Sequence, residues 1–458
     1  MSLILRPYQS QAISDLRLAY RDGARAPLLV LPTGGGKTIV MAEILRSLAD
    51  RGRSALVLVH RRELIAQTTA KLQLAGVQHG IIAAGIQSAA APIQVASVQT
   101  LARRLAQIST APDLVVIDEA HHATAGSWQR ALDHWPHALR LGVTATPTRM
   151  DGRGLSAVFD RLVFGPSVAD LVGTGYLCPA KIYAPPQVAD LSHIRRRAGD
   201  YAIDQAAEAM DRPTVTGDAI AHYNRLAAGQ RGIAFCCNVQ HAEHVASSFN
   251  AAGIPAATLL GSTDPLRRDA TVARFASGDL QVLATVDVVS EGFDIPAAGC
   301  AILLRPTQSL GLYLQQIGRV LRPAPGKAAA IVLDHVGNVH RHGFPDDPRD
   351  WSLDDRMRTG KGGGQPAPSV RTCPECYAAF KPVPLCPCCG AACAPPPRTI
   401  RQQDGELKEM QREAARQRSA ERKKARTLQE LIHVGQARGM KNPVGWAKHV
   451  YFARQQRA

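Results

Sequence analysis

The chain has 458 residues, 45% hydrophobic and 20% charged, enough apolar content for about three folded domains and too much for a wholly disordered protein. Its 38 Gly and 30 Pro keep no sustained period, no run approaches the ~20 apolar residues that span a bilayer, and MSLILRPYQSQ lacks the features of a secretory leader. Collagen-like and membrane-spanning classes are thereby excluded, the cytoplasm is the expected compartment, and the net charge of +16 favours polyanionic partners.

From residue 27 to 147 short apolar runs alternate with helical patterns. Strands are predicted at Pro27–Pro32, Ala55–His60, Ile93–Ser97, Leu114–Asp118 and Leu141–Thr144, with a helix over Thr38–Leu48. Short β-rich runs joined by helices imply βαβ units on a parallel sheet. Residues 165–230, rich in breakers and charge, read as a crossover. The alternation then restarts, with strands at Gly232–Cys237, Ala256–Leu260, Gln281–Val286, Ala301–Leu304 and Ala329–Leu333, and helices over 240–251, 265–276 and 309–321. After Asp334 the pattern dissolves into a linker-like stretch, TGKGGGQPAPS. Residues 401–426 form a charge-dense helix candidate. Two more helices are expected at 427–437 and 443–456, the second capped by Asn442 with Pro443 in its first turn.

PTGGGKT (Pro32–Thr38) follows an apolar strand and opens a helix. Backbone N–H groups of Thr33, Gly34, Gly35 and Gly36 can cradle phosphate oxygens, and the helix N-terminus adds positive dipole. Lys37 would pair with the β- and γ-phosphates and Thr38 would ligate Mg²⁺. The first Gly of the usual phosphate-loop pattern is replaced by Leu31. Asp118–His121 (DEAH) ends the strand LVVID. A carboxylate there faces the crevice where open α/β sheets bind ligands. Asp118 can hold Mg²⁺ and Glu119 can deprotonate the attacking water. QQIGRVLR (Gln315–Arg322) places Arg319 and Arg322 three apart on a predicted helix, fit to stabilise a transferring phosphoryl group across a cleft.

These motifs, in this order over residues 3–340, resemble those of superfamily 2 DEAD/DEAH-box helicases. LRPYQ resembles the adenine-recognising Q-motif, with Gln9 the implied reader, and the family form of motif I accounts for the absent glycine. VHRREL, ASVQT, TATP and TVDVVSEGFDIP resemble motifs Ia, Ib, III and V, and QQIGRVLR resembles motif VI. The resemblance implies that Gly292 and Asp294 approach the nucleotide, that Gln315, Arg319 and Arg322 act in catalysis, and that Arg62, Thr100 and Thr285 contact nucleic-acid backbone. Among branches, GYLCPA, SEGFDIP and RPTQSLGLYLQQIGRVLRPAPGK are most similar to RadD-like bacterial DNA-repair helicases and phage helicases, although RadD-like proteins carry a longer C-terminal region.

Six of the ten Cys lie between 373 and 393. Cys373, Cys376, Cys386 and Cys389 form two C-x-x-C knuckles able to close a structural Zn²⁺ site, with Cys388 and Cys393 as spare thiols and disulfides as the alternative. Residues 398–458 hold 15 Lys/Arg against 6 Asp/Glu, a net +9. Trp446, Tyr451 and Phe452 among these basic residues suit single-strand stacking, while Trp446 and Val450 could equally form a small core.

The expected fold is α/β: two tandem RecA-like parallel-sheet domains over 1–165 and 166–345, a linker over 346–369, a small zinc ribbon over 370–395 and a basic helical tail over 396–458. The expected activity is that of an ATP-dependent DNA helicase or translocase, serving DNA repair, recombination or phage replication, with ATP, Mg²⁺ and structural Zn²⁺ as cofactors. DNA is favoured over RNA, no membrane partner is expected, and the tail could receive a protein. An RNA helicase and a zinc-ribbon nucleic-acid-binding protein with little motor activity are the competing readings. Intact Lys37, Glu119, Arg319 and Arg322 speak against the second. A restriction-system motor subunit is a further alternative, though the chain shows no nuclease motif.

Overall fold

The computed structural model describes residues 4–87, 89–108, 110–148, 154–185, 191, 194–197, 199–286, 298–354, 369–393, 425, 427–437, 440 and 442–455. It separates into two compact units, 1–393 and 394–458.

The first unit begins with helix α1 (Pro7–Arg21). A seven-stranded sheet follows: β1 (Pro27–Val30), β2 (Ala55–Val59), β3 (His79–Ile82), β4 (Ile93–Ser97), β5 (Leu114–Asp118), β6 (Leu139–Thr144) and β7 (Arg161–Phe164). Helices α2 (Lys37–Ala49), α3 (Arg62–Leu74), α4 (Val98–Arg104) and α5 (Gly126–His134) connect them. Strand order is β3-β4-β2-β5-β6-β1-β7, every pair parallel. Both faces are covered, so the central strands read as continuous apolar runs. Leu29, Val57, Val95 and Val116 pack under α1 and α2, while Leu28, Leu56, Val115 and Ile117 face Trp128 and Leu132 of α5.

The crossover is more structured than its sequence suggests. It holds α6 (Val168–Gly173), β8 (Ala180–Tyr183), a hairpin of β9 (Arg196–Arg197) and β10 (Asp200–Tyr201), α7 (Ile203–Met210) and α8 (Pro213–Leu226). A second parallel sheet adds β11 (Gly232–Phe235), β12 (Ala256–Leu259), β13 (Val282–Thr285), β14 (Cys300–Leu303) and β15 (Ala330–Asp334), in the order β12-β13-β11-β14-β15-β8. Helices α9 (Val239–Ala251), α10 (Pro265–Ser277), α11 (Leu310–Gly318) and α12 (Asn338–His342) accompany it. Asp264 caps α10 and Ser309 caps α11 with side-chain acceptors, which ends the preceding loops at those residues. Ile233 and Phe235 join one core and Ala234 the other, the period-two alternation of a sheet covered on both faces.

After α12 the chain returns to the first sheet, where the Leu353 carbonyl accepts from Leu155 N (2.7 Å) and Ser156 N (3.0 Å). A small ribbon follows, with β16 (Arg371–Thr372) antiparallel to β17 (Ala379–Phe380). It is docked on the second sheet: Tyr183 bridges Ala378, Ala184 N donates to Tyr377 O at 2.9 Å, and Lys381 pairs with Asp347 at 3.0 Å.

In the second unit, helices Leu428–Ala437 and Pro443–Gln455 pack Leu431 and Ala447 into a small core, with Trp446 and Val450 half-buried against it. The tail thus has the core arrangement for Trp446 and Val450, and Asn442 Oδ1 accepts from Gly445 N at 2.9 Å, capping the last helix. Nearly all of the helix candidate at 401–426 lies outside the described residues. Among the described residues no helix is long and apolar enough to cross a membrane.

Candidate functional site

β1 ends at Val30 and α2 begins at Lys37, so the loop between them sits at the C-terminal edge of the first sheet. Gly34 and Gly36 have φ of 87° and 84°, the left-handed region that favours glycine. A Cβ on Gly34 would lie 2.9 Å from Leu177 Cδ2, and one on Gly36 would collide with Gln9 Nε2. Both the backbone turn and the close packing therefore exclude larger residues, and the loop forms a cradle.

A cavity of about 460 Å³ opens over this loop. It brings together Thr33, Gly34, Gly36, Lys37, Thr38, Asp118 and Glu119 from the first sheet with Arg319 and Arg322 from the second. Burial pushes the Lys37 ammonium below its usual pKa; Glu119 and Asp118 draw it up, while Arg319 and Arg322 push it down. The carboxylates and the two arginines thus act electrostatically on the same ammonium. Burial likewise lowers Arg322, though a guanidinium stays charged. An excess of cations around two carboxylates fits a triphosphate with a divalent cation, and the hydroxyl and carboxylate of Thr38 and Asp118 are oxygen donors of the kind Mg²⁺ takes.

Glu119 is one of two described non-glycine residues with positive φ, at 49°. Such a conformation costs roughly 1–2 kcal/mol and marks a residue whose position matters. Its carboxylate lies 3.5 Å from His121 Nδ1, which lies 3.2 Å from Thr144 Oγ1. Thr144 donates to the Thr146 carbonyl at 3.0 Å. The DEAH and TATP segments are therefore joined by one polar chain.

Several sequence expectations are placed differently. α11 ends at Gly318, so Arg319 is its cap and Arg322 lies beyond it, and the two do not share a helical face. The C-terminal turn carries them because Cys178 N donates to Leu321 O (2.8 Å) and Lys327 Nζ donates to the carbonyls of Val320, Arg322 (2.9 Å) and Ala298 (2.8 Å). Gln315 is buried and does not line the cavity. Gln9 is buried, its amide committed to Arg6 N (2.9 Å) and Gly35 O (3.4 Å), so it braces the phosphate loop. Gly35 is itself buried, its carbonyl also accepting from Tyr8 OH at 2.9 Å.

Arg6 and Tyr176, which sequence reasoning missed, stand in the cavity wall, with the guanidinium 4.6 Å from the ring centre. Arg62 is exposed at the start of α3 and Thr100 is half-buried in α4. Thr285 is fully buried and its hydroxyl donates to Leu259 O at 2.8 Å, so it is not presented to a nucleic acid. Gly292 and Asp294 lie outside the described residues.

The sulfurs of Cys373, Cys376, Cys386 and Cys389 all lie within 4.8 Å of one another. The pairs Cys373–Cys389 and Cys376–Cys386 are 3.5 and 3.6 Å apart, close to the ~3.8 Å edge of a tetrahedron with Zn–S bonds of ~2.3 Å. Burial pushes the Cys373 thiol up, but N–H groups of Cys376 and Glu375 together with the thiols of Cys389 and Cys376 outweigh it and bring it down to about 6. This donor set could hold zinc.

The chain matches the family model described as Type III restriction enzyme, res subunit, over residues 2–149, and the Helicase conserved C-terminal domain over 217–324. It is 34% identical over 351 residues to a 51.5 kDa protein of Lactococcus phage (isolate 7-9), covering 76% of this chain and 74% of that one. It is 30% identical over 357 residues to a Saccharomyces cerevisiae protein assigned as ATP-dependent helicase IRC3, covering 73% of this chain but only 52% of that relative. It is 24% identical over 376 residues to the DNA 3'-5' translocase XPB2 of Sulfurisphaera tokodaii, covering 73% and 82%. In fold it is similar to a fragment assigned as the HsdR subunit of a type I restriction enzyme from Vibrio vulnificus YJ016 (TM-score 0.60, 20% identity, 75% of this chain and 67% of that one). The chain belongs to the superfamily 2 helicases. With them it is an ATP-dependent enzyme that uses Mg²⁺ and binds nucleic acid.

Proposed function

We propose that this chain is a DNA helicase or translocase in which ATP hydrolysis opens and closes the cleft between the two sheets. The observation that carries the reading is the shared cavity, where Lys37, Asp118 and Glu119 of one sheet meet Arg319 and Arg322 of the other. The loop N–H groups and Lys37 bind the β- and γ-phosphates. Thr38 and Asp118 would hold Mg²⁺, which would neutralise phosphate charge when bound. Glu119 takes a proton from the water that attacks the γ-phosphorus as the bond to the β,γ-bridging oxygen breaks, and its proximity to His121 orients it. Arg319 and Arg322 stabilise the charge spread over the transferring group. Because they come from the second sheet, hydrolysis depends on how the two sheets are set.

DNA as the track is supported by the similarity to a protein named as a DNA translocase. Repair, recombination and phage replication are processes that need such a motor, and the phage relative makes the last a specific candidate. The four-sulfur cluster is assigned to structural Zn²⁺, and a reducing compartment such as the cytoplasm suits ten cysteines that are all unbridged. The test is ATPase rate with single-stranded, duplex and forked DNA and with RNA in parallel. Stimulation by DNA that Glu119→Gln abolishes is expected. Stimulation by RNA alone would replace DNA with RNA, and no stimulation by any of them would remove the motor reading.

A further inference from the structure

The crossover hairpin carries a feature that the nucleotide site leaves unexplained. Arg195, Arg196 and Arg197 are consecutive and all exposed. Among the described residues, no ion pair joins any of their guanidinium groups to a carboxylate. Three adjacent exposed cations concentrate positive charge on the hairpin, and such a concentration attracts polyanions.

The hairpin is held firmly. β9 pairs antiparallel with β10, Tyr201 against Arg196 and Asp200 against Arg197, and Gly199 supplies the positive φ of the turn. Ala202 N donates to Arg195 O at 2.8 Å, and Arg195 N donates to Gln205 Oε1 at 2.8 Å. The one acidic residue of the hairpin does not neutralise the exposed arginines, because it points inward. Asp200 is 8% exposed and accepts from Thr307 Oγ1 (2.8 Å) and Gln308 N (2.6 Å). Thr307 Oγ1 also accepts from Ser309 N at 2.9 Å, and Ser309 caps α11.

That anchor fixes where the hairpin stands relative to the motor. It is tied to the N-terminal end of α11, whose nine residues span about 13 Å and whose other end delivers Arg319 and Arg322 to the cavity. The first turn of α11 also touches the first sheet: a Cβ on Gly311 would lie 3.0 Å from Thr146 Oγ1. Thr146 is the end of the polar chain through Thr144 and His121 to Glu119. The hairpin is thus one short helix from the arginines and one short chain from the carboxylate.

From this the geometry points to a nucleic-acid phosphate site on Arg195, Arg196 and Arg197, with Asp200 positioning it against α11. The inference rests on the motor reading above and names a contact that reading lacks. Guanidinium groups suit phosphate because they bind it bidentately without reading sequence. Load on the hairpin passes through Asp200 and Thr307 to the helix that leads into the arginines, which links the track to hydrolysis.

The test uses the full chain and a labelled 20-nucleotide single-stranded DNA, with an RNA of the same sequence alongside. Arg195→Ala/Arg196→Ala/Arg197→Ala removes three exposed side chains, and such surface changes rarely unfold a domain. ATPase without nucleic acid should equal that of the parent. DNA affinity should fall roughly tenfold or more, and the slope of log K against log salt should become shallower by about 2–3, near 0.7–0.9 for each phosphate no longer neutralised. The triple Lys variant should restore most of the slope. Asp200→Asn should keep DNA affinity within about twofold while lowering the DNA-stimulated rate, a split that a merely structural role would not give. Unchanged affinity and slope in the triple Ala variant would overturn the site and leave the hairpin to an acidic protein. A triple Lys variant as weak as triple Ala would overturn the phosphate reading. Failure of the parent protein to bind either oligonucleotide would instead count against the motor reading itself.

Discussion

Substituting Gly36 by Ala is a sharp test of the phosphate cradle, because the structure separates two ways in which it should fail. The first is backbone strain. At φ 84° an L-residue is less favourable than glycine by roughly 1–2 kcal/mol. The second is a collision: the new Cβ would lie well inside contact distance of Gln9 Nε2. Gln9 is buried, so its amide must leave Arg6 N and Gly35 O without reaching water, a further loss of about 1 kcal/mol. The sum is on the order of 2–3 kcal/mol, concentrated in the loop that shapes the phosphate site. Expressed wholly as binding, it weakens ATP by roughly 30- to 140-fold, at 1.4 kcal/mol per tenfold. Gly253→Ala is the control. Its φ is 75°, but its Cβ would meet nothing within 4 Å. It shares the strain and lacks the collision, so it should lower Tm without changing ATP affinity. Titration with a fluorescent ATP analogue and thermal unfolding of both variants decide the matter. Parent-like ATP affinity in Gly36→Ala, or equal weakening in Gly253→Ala, would refute the reasoning.

Other changes probe the same cavity and its supports. Lys37→Ala should weaken nucleotide binding, whereas Glu119→Gln should bind ATP and fail to turn it over; near-normal turnover by Glu119→Gln would sink its role as the base. Lys327→Met removes the ammonium that gathers three carbonyls around Arg322, so kcat should fall at least about fivefold with KM for ATP little changed, and steady-state kinetics showing the reverse split would make Lys327 a ground-state contributor. His342, buried beside Tyr313 with Nε2 on Thr307 O, is pushed down to about 4 by burial first and by Arg341 and Arg349. Its folded pKa lies below its unfolded value of ~6.5, so the unfolded chain binds the extra proton. Its contribution is therefore complete above about pH 6.5 and is lost as pH falls toward 4, on the order of 3 kcal/mol in all. His342→Gln keeps the donor and should flatten that part of the Tm–pH curve; an unaltered slope would place the titration elsewhere. The purified protein should carry one Zn²⁺ per chain by elemental analysis, lost in Cys376→Ser/Cys389→Ser, and protein free of metal with all thiols reduced would remove the ribbon site.

What could be read from the sequence follows from how local each cause is. β1, β2, β5, β11 and β14 are covered on both faces, so their apolar runs announce them. β3, β7 and β8 are edge strands of their sheets. Half of β7 is exposed, its Arg161 and Phe164 lying outside the core, and β3 carries only two apolar residues, so neither pattern stands out from a loop. The phosphate loop and DEAH were legible because their chemistry resides in consecutive residues at a strand end. Arg6, Tyr176 and Lys327 were not, because each acquires its place only when distant segments meet: Tyr176 of the crossover against α1, Lys327 against the turn after α11. The same reasoning explains Arg319 and Arg322. Periodicity extends α11 to residue 321, but Cys178 and Lys327 capture the carbonyls of Leu321, Val320 and Arg322, and tertiary bonds end the helix where the pattern alone would continue it. Thr285 fails for a related reason. A polar residue at the end of an apolar strand has two places to spend its hydroxyl, a ligand or a neighbouring carbonyl. The register that sets Leu259 opposite Thr285 decides for the carbonyl, and a register is a property of two strands that neither strand shows by itself.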